Sequence, residues 1–87
     1  MEWIPITKND IVIKDHYTDT YYFTDDFCKR ENIDYSTTYN DVWITTDEGE
    51  VLMDKVDIDK YGYAFYSNSL EYITAFMWIE EPEPYKS

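Results

Sequence analysis

Asp41-Val42-Trp43-Ile44-Thr45-Thr46, then Asp47-Glu48-Gly49-Glu50, then Val51-Leu52-Met53-Asp54-Lys55-Val56-Asp57-Ile58-Asp59 is the stretch that decides the fold. The first segment is dominated by β-branched and aromatic residues and reads as a strand. The second is a turn, with Gly49 available for a positive φ. The third is again strand-like, and Val56-Asp57-Ile58-Asp59 alternates between apolar and acidic, which puts the acids on one face.

The same signals recur on both sides. Ile11-Val12-Ile13 and Tyr17 to Phe23 are rich in strand formers. Lys60-Tyr61-Gly62 reads as a second turn, followed by strands from Tyr63 to Tyr66 and from Tyr72 to Ile79. One helix of about two turns is expected after Thr24. Thr24 suits the cap, Asp25 and Asp26 the first turn, and Lys29 and Arg30 the last, while Asn32 ends it. The expected fold is mainly β: a small curled antiparallel sheet or barrel of five or six strands, arranged as a meander, with one short helix. Its acids are expected on the outer face.

The chain has 87 residues, a length that allows one domain and not two, so a single domain over residues 1–87 is expected. Area scaling gives a folded surface of roughly 5,500 Å², enough for a small core but not for a large substrate cavity as well. There are 19 Asp and Glu against 7 Lys and Arg, a formal net charge of −12. That balance argues against direct nucleic-acid binding, which needs cations for phosphate, and against an anionic membrane. The complementary partner is basic. Aromatics make up 20% of the chain, which separates it from disordered acidic tails. With one cysteine, Cys28, no internal disulfide can form. No run is long and apolar enough for a transmembrane helix, and Met1-Glu2-Trp3-Ile4-Pro5 lacks the features of a signal peptide. The expected location is the reducing cytoplasm.

The two ends carry a family resemblance. Trp3-Ile4-Pro5-Ile6 opens the chain, and Trp78-Ile79-Glu80-Glu81-Pro82-Glu83-Pro84 closes it. This resembles domain-of-unknown-function family 551 of phages and their bacterial hosts, whose members begin W-I-P-V and end W-M-P-L-P-E-P. Glu80 and Glu81 stand where the family has Pro and Leu, and Thr7-Lys8-Asn9-Asp10 replaces its L-P-x-x-G segment. The resemblance implies a mobile-element origin and a small β-rich fold whose ends meet, with Trp3 packed on Trp78. It implies no catalytic residue.

Nothing in the spacing organises catalysis, so no enzyme is expected. Asp57-Ile58-Asp59-Lys60-Tyr61-Gly62 starts like a calcium loop, but position five is Tyr61 in place of an oxygen-ligand side chain such as Asp or Asn, and position twelve is Asn68 in place of Glu. His16 and Cys28 are single copies with no motif around them, and a lone Cys beside Phe27 reads as a small core residue. Gly49 and Gly62 make no phosphate loop. No metal or other cofactor is expected.

The charge pattern remains. Acids on one strand face recur about 6.6 Å apart, comparable to neighbouring phosphates along one nucleic-acid strand, and Asp57/Asp59 and Glu48/Glu50 have that i, i+2 spacing. Such a row suits an Arg-lined groove, and Tyr adds rigid contact area. The candidate partner-binding residues are Asp47, Glu48, Glu50, Asp54, Asp57, Asp59, Tyr61 and Tyr63. They lead to the expectation of a DNA- or RNA-mimicking inhibitor of a bacterial defence protein. A Cas9-type CRISPR effector is the first target (an anti-CRISPR role) and a restriction enzyme the second. The alternative is a β-sheet adaptor or virion-associated module that uses its aromatic surface and Pro-rich tail. Either would be a monomer or a small homo-oligomer.

Overall fold

Two strands flanking a Gly-containing turn close a hairpin when the turn's twist matches theirs. In this structure, a computed structural model that describes residues 2–80 and 84–86, the stretch quoted above forms that hairpin. β4 (Asp41–Thr46) pairs antiparallel with β5 (Val51–Asp59), Trp43 opposite Met53 and Thr45 opposite Val51. The Gly49 amide donates to the Thr46 carbonyl at 3.0 Å, with Gly49 at φ +83°. This is a type I turn followed by a left-handed bulge residue.

The other strands are β1 (Ile4–Pro5), β2 (Ile11–Asp15), β3 (Thr20–Phe23), β6 (Gly62–Phe65) and β7 (Ile73–Trp78). The expected mainly β architecture is present. Among the described residues, strands are arranged as a curled five-stranded antiparallel sheet in the order β1-β7-β4-β5-β6, with β2 and β3 forming a separate hairpin. The meander is therefore broken: β4-β5-β6 run in sequence, but β7 crosses to the far side of β4. Short 3-10 turns at Lys8–Asp10, Tyr35–Thr37 and Leu70–Tyr72, along with the two-residue β1, had no clear sequence signal. The strand expected from Tyr17 begins only at Thr20. Asp15 accepts from the Tyr17 amide and the Thr18 hydroxyl, and Asp19 takes φ +54°, so local side-chain bonds win over strand propensity.

The helix α1 spans Asp25–Arg30. The Thr24 hydroxyl accepts from the Phe27 amide at 3.1 Å, and Asn32 sits at φ +57° beyond its end. Phe27 is its buried residue and stacks on Phe23 at 4.8 Å between ring centroids. Phe65 and Phe76 complete a cluster containing all four Phe of the chain, and Trp78 meets Phe76 edge-on. Val42, Ile44, Val56, Leu70 and Ile73 surround it. The β2–β3 hairpin and α1 thus cap the concave face of the large sheet.

The chain's two ends do meet, since β1 pairs with β7. The expected packing of Trp3 on Trp78 does not follow from it. With Ile4 opposite Phe76, alternation puts Trp3 on the convex side with Met77, while Trp78 faces inward. Glu81–Glu83 of the closing motif lie outside the described residues. Among the described residues, no helix is long and apolar enough to cross a membrane.

Not all acids lie outside. Asp10 and Asp54 are buried. Asp10 accepts from the Thr7 amide (2.8 Å), the Thr7 hydroxyl (2.9 Å) and Arg30 (3.2 Å), tying the segment after β1 to the end of α1. Burial raises the Asp10 pKa, but the Thr7 and Arg30 bonds outweigh it and hold the carboxyl below its ordinary range.

Candidate functional site

The eight candidate residues separate along β5. This strand runs from Val51 to Asp59, which at about 3.3 Å per residue puts its two ends about 26 Å apart. Asp47, Glu48 and Glu50 lie at the β4–β5 tip, whereas Asp59, Tyr61 and Tyr63 lie at or beyond the other end. They form no single row.

The tip is fixed by its backbone. Thr46 donates to the Glu50 carbonyl at 2.9 Å and its hydroxyl accepts from the Glu50 amide at 3.1 Å. The Asp47 amide donates to the Tyr72 carbonyl at 2.8 Å, which anchors the tip to the start of β7. Asp47, Glu48 and Glu50 are exposed, and among the described residues their carboxylates make no hydrogen bond or ion pair. Glu48 belongs to the turn, so strand spacing does not relate it to Glu50. Beneath the tip is an open hollow lined by these three acids with Thr46, Leu52, Asn68 and Tyr72. Its chemistry suits a Lys or Arg side chain: the stem lies along Leu52 and Tyr72 and the head reaches carboxylate.

Asp54 is a structural residue. It shares the inward face with Val42 and Val56. Its carboxylate accepts from the Ser67 amide (3.0 Å), the Asn68 side-chain amide (2.8 Å) and the Lys55 amide (2.8 Å). A clue was present in the sequence, because the alternation of Val56 and Ile58, continued back by two, reaches Asp54. Asp59 is also engaged, accepting from the Tyr22 hydroxyl and the Tyr61 amide. Burial, then that bond to Asp59, pushes the Tyr22 hydroxyl well above its ordinary value. Tyr61 packs on Tyr22 at 5.8 Å, and Tyr63 packs against the core. Asp57 is half-buried on the convex side, opposite Ala64. Thus Asp47, Glu48 and Glu50 present free carboxylates, Asp57 stands apart, and Asp54, Asp59, Tyr61 and Tyr63 hold the fold together.

An apolar feature adjoins the tip and escaped the sequence reading. Val51 and Met53 are each 55% exposed and Leu52 is 37% exposed. Half-buried Trp43 lies across from Met53, and Met77 lies beyond Trp43. Three consecutive uncharged residues after Glu50 were the available signal.

His16 is exposed in the β2–β3 turn and Cys28 is half-buried on α1. Burial above all pushes the Cys28 thiol up to about 11, the reverse of an activated nucleophile. Among the described residues, no three His, Cys, Asp or Glu side chains converge as metal ligands.

Comparison of the chain with protein-family models, curated proteins and solved structures found no match.

Proposed function

We propose that this protein is a non-enzymatic inhibitor that occupies the nucleic-acid groove of a basic bacterial defence protein. The first target class is a Cas9-type CRISPR effector and the second a restriction enzyme. The observation that carries the reading is the β4–β5 tip. Three carboxylates that have no hydrogen bond or ion pair among the described residues project there from a hydrogen-bonded turn, on a chain of net charge −12. A cationic groove attracts such a tip over distance and reads it through Arg. The geometry favours a local acidic anchor over an extended phosphate-like row, because Asp54 is buried and hydrogen-bonded and the exposed Asp59 is held by Tyr22 and Tyr61. The resemblance of the ends to a phage and bacterial family is the reason to look among defence proteins.

A competition assay tests this. Labelled duplex DNA bound to a purified Cas9-type effector–guide complex, or to a restriction endonuclease, is titrated with the protein at low and high salt. The expected result is displacement at low salt, weakened by salt, and lost in a triple variant carrying Asp47→Lys, Glu48→Lys and Glu50→Lys. Equal displacement by that variant would refute the role of the tip.

The second reading, a protein-interaction adaptor, is favoured by the exposed apolar run Val51–Met53. Removing residues 80–87 separates the two. An adaptor that binds through its aromatic surface and Pro-rich tail loses its partner with the tail, and the inhibitor keeps most of its activity.

A further inference from the structure

The β5–β6 ladder stops early, for a visible reason. β6 pairs with Val56–Asp59, and Tyr66 then donates to the Lys55 carbonyl at 2.9 Å. One residue on, the Ser67 amide turns to the buried Asp54 carboxylate and the chain bends away. The rest of β5 is left as a free edge.

The register shows which groups that edge presents. Thr46 and Glu50 form a hydrogen-bonded pair, so even-numbered residues of β5 direct their amides and carbonyls toward β4. The bonds of Val56 to Tyr39 and Asn40 agree, and so does the outward Lys55 carbonyl. Val51 and Met53 therefore point their backbone groups away from β4, where no described strand meets them. Exposed edges are usually blunted by Lys, Pro or a bulge. This one carries Val51, Leu52 and Met53, with side chains exposed on both faces.

We infer that the Val51–Met53 edge accepts an extended segment of the partner as an added strand, and that this segment interleaves apolar residues with Lys or Arg. The inference rests on the acidic-tip reading and names how the partner docks. Apolar residues of the segment lie beside Val51 and Met53 on the convex face, and its cations reach Asp47, Glu48 and Glu50. Charge chooses this occupant over a second copy. Antiparallel self-pairing about Leu52 would bring Glu50 opposite the other copy's Asp54, between two chains of net charge −12.

The test is an NMR titration of the full chain with two synthetic decapeptides of equal charge, one alternating Arg and Val, the other Arg and Gly. Edge pairing predicts that the Arg-Val peptide binds at least tenfold more tightly and protects the Val51 and Met53 amides from exchange. Met53→Pro removes an outward amide without touching the β4 ladder and should abolish that preference. Val51→Lys is the second variant, should the proline disturb folding. Equal binding of both peptides, with shifts confined to Asp47–Glu50, overturns edge pairing and leaves the acidic-tip reading standing. No binding of either peptide at low salt overturns both. Dimerisation of the free chain that Met53→Pro abolishes would give the edge to a second copy and refute the assigned occupant.

Discussion

Replacing Asp54 with Ala separates acids that hold the fold from acids that face a partner. The carboxylate takes donors from Ser67, Asn68 and Lys55, and the residue is 7% exposed. Truncation leaves those donors without their buried acceptor. At about 1 kcal/mol for each of the three bonds, the lower end for a buried donor left unpaired, the loss is about 3 kcal/mol. A domain of this size loses about 4–8 °C of melting temperature per kcal/mol, so the midpoint should fall by roughly 12–24 °C. Asp54→Asn keeps an acceptor, and Asn68 can turn its amide to match, so it should cost only about 1 kcal/mol. Asp57→Ala, on the convex face, should stay within about 0.5 kcal/mol. Thermal unfolding followed by circular dichroism ranks the three. If Asp54→Ala melts within 2–3 °C of the parent, the Ser67 and Asn68 bonds to the carboxylate do not hold the chain where the β5–β6 ladder ends.

Phe76→Ala opens the middle of the aromatic cluster and should cost about 3–5 kcal/mol, visible as loss of the cooperative unfolding transition or a midpoint near ambient temperature. Stability should fall as pH rises from about 9 toward 11. The fold raises the Cys28 and Tyr22 pKa values above the ordinary 9.0 and 10.0, so their contributions are complete below those values and are lost as pH climbs through the raised ones; Cys28→Ala should flatten the first part of the decline in urea titrations. The depressed Asp10 has the opposite sign: its contribution is complete well above the ordinary 3.8 and is lost as pH drops below it, and Asp10→Asn should reduce that acid sensitivity. Adding 0.5 M sodium chloride should raise the melting temperature, since screening relieves repulsion within a chain of net charge −12; a lower midpoint in salt would refute that reasoning.

The large elements were legible because their signals were local. Thr24, the Asp25-Asp26 pair and Asn32 bracket α1, and Gly49 marks the turn between β4 and β5. The path of β7 was not legible, since nothing local says that Ile73–Trp78 pairs with β4 in place of β6. Tyr17–Asp19 looked like strand because propensity omits the Asp15 carboxylate that closes a turn there. Of the candidate site, Asp47, Glu48 and Glu50 were readable as exposed turn acids. Asp54 is buried, and Asp59, though exposed, is tied to Tyr22; composition treats every carboxylate alike, and only register shows which ones meet buried donors. The Val51–Met53 edge depends on where β6 stops, a fact of tertiary structure.

The proposed inhibitor binds a basic nucleic-acid-binding protein through its acidic tip. A tagged pull-down from a defence-competent bacterial lysate tests it most directly, at low and then high salt, alongside the Asp47→Lys, Glu48→Lys, Glu50→Lys variant, with bound proteins identified by mass spectrometry. A basic nuclease or other nucleic-acid-binding complex should be retained at low salt, released by high salt and missing from the variant. A neutral partner that survives high salt and binds the variant equally well would contradict it.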